Sequence, residues 1–233
     1  MLLVALAAQN LTFDVASVKR STSGAYRPPF TVTGGGGIDA NATVDLFLVL
    51  AYKVAPFQLV NLPEWAHSED YTIVAHTPPG TVQKTPGKRD DELLERLRNL
   101  LADRFHLVIH REMREMPVYV LTVAKNGPKM PESEKHEITN LRMSRTQVAN
   151  DGGAPMSWLA TSLESRAGRK VIDETGLSGF YRFDLHWAPD NLPDAVGPSL
   201  FTAVQEQLGL KLETKRRQVE VIVVDRVERP TEN

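Results

Sequence analysis

Apolar residues recur at helical spacing four times along this chain, and between those stripes they alternate with polar ones. The sharpest stripe is Leu93, Leu94, Leu97, Leu100 and Leu101, which predicts a helix over 90–103. Asp90, Asp91 and Glu92 open it, and Arg96, Arg98 and Arg104 lie toward its end, as the helix dipole favours. A stripe of Leu46, Phe47, Leu50 and Ala51 predicts a helix capped by Thr43. Met156, Leu159, Ala160 and Leu163 predict a third. Leu200, Phe201, Val204 and Leu208 predict a fourth, opened by Pro198.

Period-two alternation predicts strands over 13–19, 30–33, 71–76, 105–109, 118–124 and 181–187, with two more carrying Leu210, Leu212 and then Val219, Val221, Val223. The charged link 111–117 and the basic run Lys215-Arg216-Arg217 then fall where hairpin turns are needed. Pro- and Gly-bearing residues 77–89 predict a surface loop, and the polar stretch 126–137 a linker. Elements of both kinds, in mixed order, predict an α+β fold.

The order helix, strand, helix, strand, strand occurs twice. Residues 71–76 (YTIVAH) lie over 181–186 (YRFDLH), and 107–124 lie over 210–227 without a gap, although Val123 falls on Arg226. Two related halves are therefore expected over 11–125 and 138–233, joined by 126–137, each an antiparallel sheet covered by helices on one face. A groove between such halves is the default place for a ligand.

Composition narrows the chemistry. With 42% hydrophobic and 24% charged residues the chain can bury a core. A net charge of −2 argues against a nucleic-acid partner. The absence of cysteine excludes disulfides, thiolate metal sites and a cysteine nucleophile. Residues 1–9 (MLLVALAAQ) are apolar and end in small residues, the pattern of a signal-peptide tail, with Ala5-Leu6-Ala7 as the cleavage signal. No Lys or Arg precedes the run, as expected if translation starts further upstream. Export to the periplasm or beyond, with association with envelope components, is the expectation, and no stretch is long and apolar enough to span a membrane.

Motifs carry little. The run Gly34–Gly37 lacks the Lys and Ser/Thr of a phosphate loop and the helix of a dinucleotide fingerprint, so a hairpin turn is expected and no cofactor. His106 and His110 are four apart on a predicted strand, about 13 Å, too far to share an ion. Asp184 and His186 are two apart, about 7 Å, close enough for a site but without a third ligand, so no metal is expected. Asp184, His186 and Trp187 are the candidates for ligand binding, and no catalytic residue is assigned. Ser178 lies in no nucleophile elbow. Asp90 with Asp91, and Asp173 with Glu174, sit at a helix start and a turn, where structural roles suffice. Trp65, Trp158 and Trp187 are expected as packing anchors.

Several segments in order carry a resemblance. Residues 13–19 (FDVASVK), 100–107 (LLADRFHL) followed by Arg111-Glu112 and Pro117-Val118-Tyr119, 173–181 (DETGLSGFY), 197–203 (GPSLFTA) and the ending 224–233 resemble a soil-associated, acidobacterial-type family, domain of unknown function 3738. The resemblance covers nearly the whole chain after Leu11. It implies an exported bacterial protein without assigned catalytic residues, and some members place the domain behind a membrane metallopeptidase-like sensor module. A non-enzymatic extracytoplasmic binding, sensory or interaction domain is the expectation. The alternatives are a hydrolase built on Asp184 and His186, and an adaptor pairing through strand edges.

Overall fold

A computed structural model describes residues 11–21, 30–33, 35–78, 88–188 and 197–231. The expected signal segment 1–9, Gly34 and most of the loop 77–89 lie outside them. The fold is α+β, with five α-helices and eleven strands among the described residues. The chain divides into two compact units, one of Met1–Glu112 with Glu220–Asn233 and one of Met113–Val219.

In the first unit, β1 (Val15–Arg20), β2 (Thr31–Val32), β3 (Ile38–Thr43) and β5 (Asp70–His76) form an antiparallel sheet in the order β1-β5-β3-β2. Strand β5 alternates as its sequence predicts, with Tyr71, Ile73 and Ala75 buried and their neighbours facing outward. Gly35–Gly37 lead into β3 from the β2–β3 turn: Gly36 has φ +79°, and Thr33 and Gly37 exchange hydrogen bonds. Helices α1 (Val44–Tyr52) and α3 (Lys88–Arg104) pack with this sheet into one core holding Phe47, Leu97, Leu101 and Phe105. Helix α2 (Trp65–Ser68) adds Ala66.

The α1 stripe differs from its prediction. Val44, Phe47, Leu48 and Ala51 are buried, while Leu46 and Leu50 are exposed. The helix reads VDLFLVLAY, apolar around most of its circumference, so periodicity alone cannot select the buried face.

In the second unit, β7 (Arg142–Met143), β8 (Gln147–Ala154) and β10 (Tyr181–His186) form an antiparallel sheet in the order β10-β8-β7. Helices α4 (Met156–Ala167) and α5 (Leu200–Leu208) bury Leu159, Leu163, Val204 and Leu208 in a core with Tyr181, Phe183, Leu185 and Trp187. Ser199 caps α5 by accepting from the Thr202 amide at 3.2 Å, and Phe201 turns outward.

Both predicted hairpins are single long strands, β6 (Val108–Val123) and β11 (Leu210–Arg226), neighbours in the order β4-β11-β6-β9 and contributing residues to both units. The segments read as turns, 111–117 and 215–217, carry charge pairs instead. Arg111 pairs with Glu220 in the first unit, and Glu115 with Arg216 at 2.9 Å in the second. Alternating charges on an exposed ladder lack the apolar signal by which strands are recognised. The short strands β4 (Leu59–Val60) and β9 (Val171–Asp173) pair in parallel with β11 and β6 respectively.

Residues 126–137, expected as a linker, are fastened within the second unit. Met130 is buried in its core, and Gly153 donates to the Glu137 carbonyl at 2.8 Å. A Cβ on Gly152 or Gly153 would stand 2.2 or 1.8 Å from the carbonyl oxygens of Glu137 or Lys135, so only glycine lets the chain pass there. Buried Asn150 accepts from the amides of Thr139 and Gly152, the polar nail of this crossing.

The end of the chain is fastened within the first unit. Val224 joins the core, and the Glu228 amide donates to the Phe105 carbonyl at 2.7 Å. Glu69, 12% exposed, accepts a two-pronged bond from Arg229 (2.8 and 3.1 Å), a bond from the Tyr71 hydroxyl (3.0 Å) and an ion pair from Arg20 (3.3 Å). The Arg229 guanidinium also lies 4.9 Å from the centre of the Trp65 ring.

The Arg229 hydrogen bond holds the Glu69 carboxyl down at about 2, and burial, with the Glu69 bond second, pushes the Tyr71 phenol up to about 12. A depressed carboxylate contributes stability that is full above its unfolded value and lost as pH falls toward the folded one. A raised phenol contributes stability lost as pH rises from the unfolded value toward the folded one. Chemical denaturation across pH will therefore show an acid-side loss between about 4.5 and 2 that Glu69→Gln flattens, and an alkaline loss between about 10 and 12 that Tyr71→Phe flattens. Parallel pH profiles for wild type and Glu69→Gln would contradict the assignment.

Candidate functional site

Strand β10 places the sequence candidates. Tyr181, Phe183 and Leu185 face the core, so Asp184 and His186 share the opposite, solvent-facing side. They meet: His186 Nε2 lies 2.7 Å from Asp184 Oδ1, and each side chain is about half exposed. Trp187 is not beside them but in the core, 8% exposed, with its backbone amide on the Thr146 carbonyl.

The neighbours of the Asp184–His186 pair come from β7 and β8. The Gln147 amide nitrogen donates to Asp184 Oδ1 at 3.0 Å and lies 3.2 Å from His186 Nε2. Nε2 cannot both donate to Asp184 and accept from Gln147, so the shorter contact is the bond and the longer a close approach. Arg142 forks onto Asp151 at 3.0 Å to each oxygen and reaches Asp184 at 3.5 Å. The Asp151 carboxyl is held below its usual range by that fork.

The result is a solvated polar network on an open sheet face. Its histidine is met by a carboxylate and an amide, whereas an activated nucleophile requires a hydroxyl or thiol beside its base. No group of three or more His, Asp or Glu side chains able to hold a metal occurs among the described residues. The outer edge of β10 is also covered. Gln207 accepts from the His186 amide at 3.0 Å and donates to its carbonyl at 2.7 Å, and the Arg182 amide donates to Pro131. A strand edge so capped offers little to a pairing partner.

The other candidates take structural places. His110 Nδ1–H donates to the Asp225 carboxylate, 3.0 and 2.8 Å from its two oxygens, which raises the histidine pKa, and His106 lies 3.8 Å from Glu228. Asp91 is paired with Lys53 at 2.7 Å. Asp173 accepts from the Thr175 amide and hydroxyl, an Asx turn. Glu174 is held by Lys215 and Arg217, which absorbs most of the basic run. Trp65 and Trp158 pack against the cores of their own units.

Sequence reasoning missed a concavity in the first unit. Helix α3 and residues 12–16 line an open cavity of about 520 Å³. Two side chains of α3 hold the start of that stretch in place: Arg96, buried at 5% exposure, donates to the Thr12 carbonyl, and Asn99 donates to the Leu11 carbonyl at 2.8 Å. The lining mixes apolar side chains, Phe13, Ala16 and Leu100, with polar ones, Asp14, Asn99, Asp103 and Arg104. The volume falls within the range of about 300–1,000 Å³ typical of small-molecule sites. Its two lining segments, 12–16 and 99–104, are more than eighty residues apart in sequence, so no local motif announces it.

No described helix is long and apolar enough to cross a membrane. No curated protein and no solved structure matches the chain. A family model does match, over residues 45–227, which covers α1 through β11 and with them most of both units. The chain belongs to the family described as protein of unknown function (DUF3738).

Proposed function

We propose that this chain is a non-enzymatic, extracytoplasmic binding domain whose ligand seat is the cavity beside α3. The observation that carries the reading is the cavity itself: a lining of both apolar and polar side chains and a volume suited to a small molecule. The Asp184–His186 pair supports the non-enzymatic part, because its partners are a carboxylate, an amide and a guanidinium. The apolar start ending in Ala5-Leu6-Ala7 supports export.

Two related halves are part of the same proposal. In their support, β3-α1-β4-β5-α3-β6 and β8-α4-β9-β10-α5-β11 follow the same order, apart from the one-turn helix α2 and a 3-10 turn inserted in the first. In each, an antiparallel strand pair flanks the helix, β3 with β5 and β8 with β10. Tyr71 and Tyr181 occupy the same buried place in β5 and β10.

The cavity reading is tested by calorimetric and thermal-shift screening of amino acids, peptides, glycans and cell-wall fragments against wild type and Ala102→Trp, which fills the mouth from the exposed side of α3. The expected outcome is a ligand whose affinity falls by about tenfold or more in the variant. A ligand bound equally by both proteins, or silence across the screen, would overturn it. Export is tested by fractionating the native cells and sequencing the mature N-terminus. Recovery outside the cytoplasm with the apolar start removed is expected, and an intact cytoplasmic protein contradicts it.

A further inference from the structure

Strand β1 ends its sheet, and among the described residues no strand lies on its outer side. The register fixes which of its backbone groups are left over. The Ser21 amide donates to the Asp70 carbonyl at 2.8 Å, and Lys19 and Ser17 lie opposite Thr72 and Val74. Alternate residues of an antiparallel strand bond to the same neighbour, so Ser17, Lys19 and Ser21 turn their N–H and C=O groups toward β5. Ala16, Val18 and Arg20 turn theirs away, and no described group meets them. The outer edge of β10, by contrast, is covered by Gln207 and Pro131.

That open edge runs into the cavity. Ala16 lines the cavity and also carries outward-facing backbone groups, and residues 99–104 of α3 supply the rest of the lining. Outward groups on every second residue repeat at about 7 Å, the repeat of an extended polypeptide and not of a compact small molecule. A gap bounded by an edge strand and a helix can take such a segment as a further strand: its backbone bonds to the edge, and alternate side chains enter the gap. Phe13, Ala16 and Leu100 offer apolar contact to an entering side chain. Val15, 61% exposed, offers a second apolar contact on the other face of the strand. Asp103 lies 3.1 Å from Arg104, which leaves the Asp14 carboxylate as the lining charge without a partner among the described residues. A basic residue beside the apolar one is the better match to it.

We infer that the cavity and the β1 edge together bind an extended peptide, which adds to the sheet beside Ala16, Val18 and Arg20 and places an apolar side chain against Phe13 and Leu100. This rests on the proposal that the cavity is the ligand seat, and names the class of ligand. The affinity comes from backbone hydrogen bonds to the edge, and the preference for sequence from the side chain that enters the cavity.

Selection of random heptapeptides on the full chain, followed by titration of the enriched peptides in synthetic form, tests this. Binding is expected to slow amide hydrogen exchange at Ala16, Val18 and Arg20 and to leave Ser17 and Lys19, already bonded to β5, unchanged. N-methylation of alternate peptide amides in one register is expected to weaken binding about tenfold or more, and in the other register to change it little. Ala16→Pro removes an outward donor at a place where an edge strand accepts proline, and is expected to weaken binding by a similar factor. Should that variant fail to fold, the methylated peptides decide alone. Peptides indifferent to methylation in both registers, or unchanged exchange at Ala16 and Val18 on binding, overturn strand addition. If such peptides still lose binding in Ala102→Trp, the cavity remains the ligand seat and only the mode of binding is wrong. No enriched peptide overturns the inference as well, and the wider screen then decides on the cavity alone. Protection of the same amides that rises with protein concentration in the absence of peptide assigns the edge to a second copy of the chain, and overturns it too.

Discussion

The first unit depends on one carboxylate. Glu69 sits where β5 begins, nearly out of solvent, and a carboxylate in such a place must be met by charge and hydrogen bonds. Arg229 supplies both prongs of a guanidinium fork, Tyr71 a hydroxyl and Arg20 a further positive charge. Three stretches far apart in sequence thereby converge: β1, the α2–β5 junction and the chain's last residues. Trp65 stacks beneath Arg229, and Tyr71 meets both Trp65 and Phe105 edge to face, so the charged cluster continues into the aromatic part of the core. The returning segment therefore matters to the first unit, because it supplies the guanidinium that meets the partly buried Glu69 carboxylate.

The same logic positions the cavity. Arg96 and Asn99 lie one turn apart on α3, and both spend their side chains on backbone carbonyls of residues 11 and 12. That fixes the incoming chain at a set height above the helix and leaves Leu100, Asp103 and Arg104, the next turn, facing Phe13 and Asp14 across a gap. Helix α3 is held on its other side by Leu97 and Leu101 in the core and by Phe105 at its end. The cavity is thus built on the most regular element of the unit, the kind of support that keeps a recognition site in shape. The Asp184–His186 network has the opposite character. It lies on an open face, its charges are matched among themselves, and water competes for every bond in it.

How far the sequence revealed this differs by element. The α3, α4 and α5 stripes were legible because leucine and methionine occur on one side only, and β5 and β10 because their alternation is unbroken. The long strands are not, because residues 111–117 and 215–217 are mostly charged and carry ion pairs, Arg111 with Glu220, Arg216 with Glu115, and Lys215 and Arg217 with Glu174, in place of an apolar alternation. Residues 126–137 read as a linker because what holds 135–137 in place, their close passage over Gly152 and Gly153, has no local signature. Asp184 and His186 were correctly placed on one face of a strand. Their function was not readable, since spacing fixes proximity and says nothing about the Gln147 and Arg142 side chains that surround them. The cavity was invisible for a related reason: its chemistry belongs to two segments joined only by tertiary structure.

The returning C-terminal segment is part of the first unit's core rather than an appendage to it. Native-state hydrogen exchange on a chain truncated after Asp225, which removes Val227, Glu228 and Arg229, tests this most directly. The claim predicts that the amides of Tyr71, Ile73 and Phe105 lose protection together, while those of Phe183 and Leu185 in the second unit's sheet keep theirs. Unchanged protection at Tyr71, Ile73 and Phe105 would contradict it.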